Sequence, residues 1–183
     1  MAPVRSGLVA LIAALLAGLA SPGLAGAQRA TYTARDGSWS VVHPASWEVA
    51  QSRDGGAVAF LAPAVQVAGT RFRPSLVVSS SAVEPGVTQQ RLAEVARAAF
   101  ERSLPGAQLL GQEQLTARDG GRVLLLYYYS PPGQQGPGLY TVLGLALRRK
   151  LYTLVGTTTT ALQDYRQQAA AFRAVVLSLS ALR

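Results

Sequence analysis

The chain has 183 residues, with 17 basic against nine acidic side chains for a net charge of +8, one histidine and no cysteine. The absence of thiols excludes cysteine nucleophiles, disulfide exchange and zinc-thiolate sites, and a single histidine excludes multi-histidine metal centres. A basic balance carried almost entirely by arginine, with Lys150 the one lysine, favours anionic contacts such as lipid head groups, wall polymers or an acidic protein.

The first 27 residues read as an export signal. Arg5 and the amino terminus supply positive charge, residues 8–20 form an apolar run, Ser21-Pro22-Gly23 breaks it, and Ala25-Gly26-Ala27 offers a small-residue cleavage site. Cleavage before Gln28 leaves residues 28–183, the size of one domain. The apolar run is shorter than the roughly 20 residues a membrane-spanning helix needs, so the mature chain is expected to be soluble, periplasmic or extracellular, with no transmembrane segment. Without cysteine there is no lipobox, and a lone Arg5 argues against the twin-arginine route. Nucleic acid is not an expected partner in that compartment.

Residues 32–34 and 39–43 alternate as short strands, the second ending at Pro44, which favours an extended residue before it. Residues 47–50 and 57–61 flank Arg53-Asp54-Gly55-Gly56, a hairpin signal, so the four segments read as a first meander. Residues 62–70 read as a loop and 74–83 as a strand whose serines mark a less buried face. Thr88 can cap a helix to about Leu104, since Leu92, Val95, Ala96, Ala99 and Phe100 form one apolar stripe and Pro105-Gly106 stops it. Residues 108–116 and 122–130 bracket Arg118-Asp119-Gly120-Gly121, a second hairpin. Residues 140–148 and 151–158 form a third, tightly joined near Arg149-Lys150. A final helix is expected from Thr160, with Gln163 at capping-box spacing and Leu162, Tyr165, Ala169, Phe172, Val176 and Leu179 facing inward.

Over residues 123–129 and 139–146 both alternating sets are apolar or aromatic, the mark of strands covered on both faces in the middle of a sheet. Hairpin connections make that sheet mostly antiparallel. The expected fold is therefore α+β, a central antiparallel sheet covered by two amphipathic helices. The pattern leaves open whether the helices share a face.

Residues Asp36-Gly37-Ser38-Trp39-Ser40-Val41-Val42-His43-Pro44-Ala45-Ser46-Trp47-Glu48-Val49 resemble the glycine, aromatic, strand, proline, tryptophan signature that opens the PsbP, Mog1 and DcrB-like superfamily. A helix after four strands, then hairpins and a closing helix, extends the resemblance across nearly all of the mature chain. It implies an αβα sandwich and an accessory, assembly or interaction role rather than catalysis.

Chemistry-bearing residues are few. His43 shares an alternating side with Trp39 and Val41, which suits a structural role, and no nucleophile elbow, Walker loop or dinucleotide-binding glycine loop occurs. Asp36, Asp54 and Asp119 each sit in an Arg-Asp-Gly turn, which hairpin formation explains. No catalytic residue, metal site or cofactor is expected. Tyr127-Tyr128-Tyr129 places phenols on both sheet faces, and a ligand pocket lined by Tyr127, Tyr129 and Tyr140 is one reading. Arg148, Arg149 and Lys150, the densest cation run, and Gln134 and Gln135 in the proline- and glycine-rich loop after Ser130 form a candidate interaction surface. The leading functional expectation is an exported, non-enzymatic accessory protein binding another envelope protein or an anionic surface. The alternative is a carrier of a small apolar or aromatic ligand between sheet and helix.

Overall fold

The computed structural model describes residues 28–53, 55–67, 69–132 and 137–181, so the stretch read as an export signal, with its expected cleavage site, lies outside the described residues. Strands β1 (Arg29–Thr33), β2 (Trp39–Pro44), β3 (Glu48–Gln51), β4 (Ala57–Leu61), β5 (Val65–Val67), β6 (Thr70–Phe72) and β7 (Ser75–Ala82) precede helix α1 (Gln89–Ser103). Strands β8 (Gln108–Thr116), β9 (Arg122–Ser130), β10 (Leu139–Leu147) and β11 (Lys150–Thr159), helix α2 (Tyr165–Leu177) and the short β12 (Ser180–Ala181) follow.

Seven strands form one antiparallel sheet in the order β3-β4-β7-β11-β10-β9-β8, and β1-β2-β12 form a smaller one. Successive residues of β9 enter different cores. Leu125 and Tyr127 join Val142, Leu154 and Phe172, whereas Leu126 and Tyr128 join Leu143 and Leu145. The helices therefore cover opposite faces: α2 and the small sheet pack on the first, and α1 lies on the second, with Phe100 over Tyr128 at 4.3 Å between ring centroids. No described helix is long and apolar enough to cross a membrane.

The first helix matches its sequence signals. Thr88 adopts extended geometry and its Oγ1 accepts the Arg91 amide at 3.2 Å. On its outer face Arg97 pairs with Glu101, but Glu94 turns back to Arg91 rather than forward to Arg97. The serines of β7 also fall as expected: Leu76 and Val78 are fully buried, whereas Val77 and Ser81 are exposed on the other face.

Three expectations change, and one short strand is added. The first meander is divided between two sheets, because the Pro44-Ala45-Ser46 turn, closed by Trp47 N to Pro44 O at 3.0 Å, redirects the chain while Trp47 packs on Phe172. Residues 62–70 are not all loop, since β5 and β6 form a small hairpin; added to the five strands read from the sequence, they bring to seven the strands that precede α1. The last helix starts at Tyr165, not Thr160. The β-branched run Thr157-Thr158-Thr159 prolongs β11, and Thr159 Oγ1 and Thr160 N both donate to Gly138 O, at 2.8 and 3.0 Å, which holds that stretch in the sheet. Finally, β12 extends the small sheet by pairing Ser180 and Ala181 with Ser40 and Trp39.

Candidate functional site

Tyr127, Tyr129 and Tyr140 share the α2 face. Tyr129 pairs directly with Tyr140 across the β9-β10 ladder, and Tyr127 meets Tyr140 at 6.3 Å between centroids. Tyr165, at the start of α2, extends the row at 5.8 Å from Tyr140. Tyr127 is buried, whereas Tyr129 and Tyr140 are half-buried. The Tyr127 hydroxyl donates to Glu113 Oε1, and Arg173 of α2 grips the same carboxylate through Nε at 2.9 Å and Nη2 at 3.3 Å. Burial works to raise the Glu113 pKa, but the hydrogen bonds from Arg173 and Tyr127 outweigh it and hold the carboxyl below its usual range. Burial, reinforced by the Glu113 bond, pushes the Tyr127 phenol well above its ordinary value; burial does the same for Tyr140. At the Tyr127 end of the row the chemistry is thus an internal carboxylate, guanidinium and phenol network. Sequence reasoning missed Glu113 and Arg173 because their partners stand far away in the chain.

The cation run has two different fates. Arg148 does not belong to a free basic surface: its side chain is only 15% exposed and forms a two-pronged pair with Asp119. Lys150 lies 3.9 Å from Asp36, and Arg149 is exposed with no ion pair among the described residues. Gln134 and Gln135 lie outside the described residues.

His43 is 5% exposed, stacks 5.0 Å from Phe60 and has Nδ1 2.9 Å from Pro44 O. Beside it a cavity of about 50 Å³ is lined by Arg29, Val42, Ala174 and Ser178. Both tryptophans are buried, Trp39 at 5% and Trp47 at 7% exposure. Among the described residues no three histidine, aspartate or glutamate side chains gather as metal ligands.

Two larger concavities were not legible in the sequence. A groove of about 540 Å³ between α1 and β8-β9 has Gln89, Gln112, Gln114 and Arg97 on its walls and Leu124 and Leu126 on its floor. A cleft of about 300 Å³ opens between the two sheets, with Arg35 and Arg53 at its rim and Tyr32, Trp39, Val58 and Val78 below. Glycine-rich turns and alternating strands signal the elements that build the cleft, but not their meeting.

No protein-family model matches the chain, and no curated protein sequence does. Solved structures do. Cyanobacterial PsbP (CyanoP) from Synechocystis sp. PCC 6803 is similar at a TM-score of 0.62 and 18% identity, over 88% of this chain and 97% of its own. LpqN of Mycobacterium tuberculosis, described as involved in cell envelope biogenesis, is similar at 0.58 and 14%, over 86% and 92%. The Saccharomyces cerevisiae Ran-binding protein Mog1p is similar at 0.57 and 10%, over 85% and 96%. With the seven-stranded antiparallel sheet and helices on both its faces, these likenesses establish that the chain has the PsbP/Mog1-like fold.

Proposed function

We propose that the chain is an exported, non-enzymatic accessory protein that binds another component of the cell envelope through its turns and basic end. One observation carries the reading: the polar clusters that catalysis would draw on are engaged within the fold. Glu113 is held by Arg173 and Tyr127, Asp119 by Arg148, and the sole histidine is packed on Phe60 beside the Pro44 carbonyl. By analogy of fold alone, the likeness to the Ran-binding Mog1p favours a binding role and the likeness to LpqN, described as involved in cell envelope biogenesis, favours an envelope setting. The amino-terminal sequence supports export.

Native mass spectrometry of the protein drawn gently from its own envelope fraction tests this. The expected spectrum carries a second protein mass on a chain that begins at Gln28. A small added mass in place of a protein would overturn the accessory reading in favour of the ligand carrier.

A further inference from the structure

Three turns share one spelling: Arg35-Asp36-Gly37, Arg53-Asp54-Gly55 and Arg118-Asp119-Gly120. In each the glycine amide returns to the carbonyl three residues earlier: Gly37 to Ala34 at 2.8 Å, Gly55 to Ser52 at 3.0 Å and Gly120 to Ala117 at 3.0 Å. All three glycines have positive φ, between 66° and 81°. Asp36 and Asp119 fix their turns by accepting the amides of Ser38 and Gly121; Asp54 lies outside the described residues. Turn chemistry therefore accounts for the aspartate and the glycine. It makes no demand for arginine ahead of them, where proline is favoured.

The sheet register gathers these turns at one end of the molecule. Ala57, just after the second turn, pairs with Ser79 of β7, and Ala82 at the end of β7 pairs with Lys150. Arg148 bridges the β10-β11 turn to Asp119 in the third turn, and Lys150 reaches Asp36 in the first. Arg35, Arg53, Arg118, Arg122 and Arg149 are all exposed there, with no ion pair among the described residues. The carboxylates of Asp36 and Asp119 are already engaged. The 300 Å³ cleft opens between two of these guanidinium groups, Arg35 and Arg53, over the tilted Tyr32 and Trp39 rings. Tyr32, which lines it, carries a buried hydroxyl with no partner among the described residues.

We infer that this end is a docking surface for an acidic segment of a partner protein, whose carboxylates meet the exposed arginines while an apolar or aromatic side chain seats between Arg35 and Arg53. Planar guanidinium groups match carboxylates in bidentate geometry, and a side chain buried in a pocket within a charged rim is the usual anatomy of a binding hot spot. A lipid surface fits less well. Interfacial binding draws on apolar side chains that insert, and the exposed large hydrophobics among the described residues, Val49, Val77, Val95 and Leu110, all lie outside these turns. The inference rests on the accessory reading and names the chemistry of its partner.

The test titrates a synthetic peptide of glutamates around one tryptophan into the full mature chain, at low salt and at physiological salt. The glutamine version of the peptide and phosphatidylglycerol vesicles are titrated alongside. Expected is saturable binding of the acidic peptide that weakens with salt, with about a tenfold or greater loss in the variant R35E/R53E/R149E. The variant R29E/R71E, at the opposite end of the strands, should bind within about twofold of the parent. Retained thermal melting shows that each variant folds, and R35Q/R53Q/R149Q gives the same readout should charge reversal disturb the turns. Equal weakening in both variants, or binding to vesicles but not peptide, overturns the inference. So does a native envelope complex that persists in R35E/R53E/R149E, which would leave the accessory reading standing; a parent protein that carries no partner would remove that reading instead.

Discussion

Arg148 holds Asp119 with two nitrogens, Nε to Oδ2 at 2.9 Å and Nη2 to Oδ1 at 2.7 Å, while its Nη1 donates to the carbonyls of Arg122 and Leu147. Asp119 also accepts the Gly121 and Ala181 amides. One ion pair thus fastens the β8-β9 turn, the β10-β11 turn and the carboxyl-terminal strand. With side-chain exposures of 15% and 12%, it is shielded enough to matter energetically.

Removing Arg148 takes the ion pair from Asp119 while the Gly121 and Ala181 amides still hold its carboxylate, so Arg148→Ala should lower unfolding free energy by about 1–2 kcal/mol in denaturant melts. The Arg148 hydrogen bond, against the opposing pull of burial, holds Asp119 at about 2 from its ordinary 3.8. Because the folded pKa is depressed, the pair's stabilisation is present above the unfolded value and disappears as pH falls from about 3.8 through about 2. Asp119→Asn should flatten the stability profile across that window.

Gly121 lies against the same guanidinium. A β-carbon there would stand 1.9 Å from Arg148 Cζ, so Gly121→Ala must displace the side chain from Asp119. The expected cost is about 2 kcal/mol in the parent and close to zero in the Arg148→Ala background. Equal costs in both backgrounds would show that the glycine serves the backbone instead.

The tyrosine network predicts an ordered titration. Tyr127 and Tyr140 should ionise well above the ordinary phenol range in an alkaline absorbance titration, because burial disfavours their anions and Glu113 adds to this at Tyr127. Tyr127→Phe should delete one late step and lower stability by about 1 kcal/mol through the lost hydrogen bond to Glu113.

Much of the fold was legible because its signals are local. The doubly apolar patterns of β9 and β10 place them inside the sheet, and Thr88 and Pro105 bound α1. What failed depended on contacts distant in sequence. Thr160 carries a cap signal, yet Gly138, 22 residues away, keeps that stretch in the sheet. Trp47 draws β3 out of the first meander by packing on Phe172. The sites fared worse for the same reason: Glu113 and Arg173 are 60 residues apart, and Arg148 and Asp119 are 29. A cation run in a sequence says nothing of which guanidinium will find a carboxylate. Likewise the three Arg-Asp-Gly turns are each explained locally, and only the strand register reveals that they share one end.

Close packing beneath α2 gives an independent check of that helix. At Gly156 a β-carbon would lie 2.6 Å from Cγ of the fully buried Phe172, so Gly156→Ala should cost about 1–3 kcal/mol by lifting the helix from β11. Phe172→Leu should relieve part of that cost, measured as a positive coupling in a double-mutant cycle.

The proposed function requires that another protein bind at the arginine-bearing turns. The most direct measurement is site-specific photocrosslinking in the native envelope, with a photoreactive residue placed at Arg149 and, separately, at Arg29 at the opposite end. Docking at this end requires a discrete protein adduct from position 149 that the Arg35→Glu and Arg53→Glu changes abolish, and none from position 29. Adducts of equal yield from both positions, or none from 149, would contradict it.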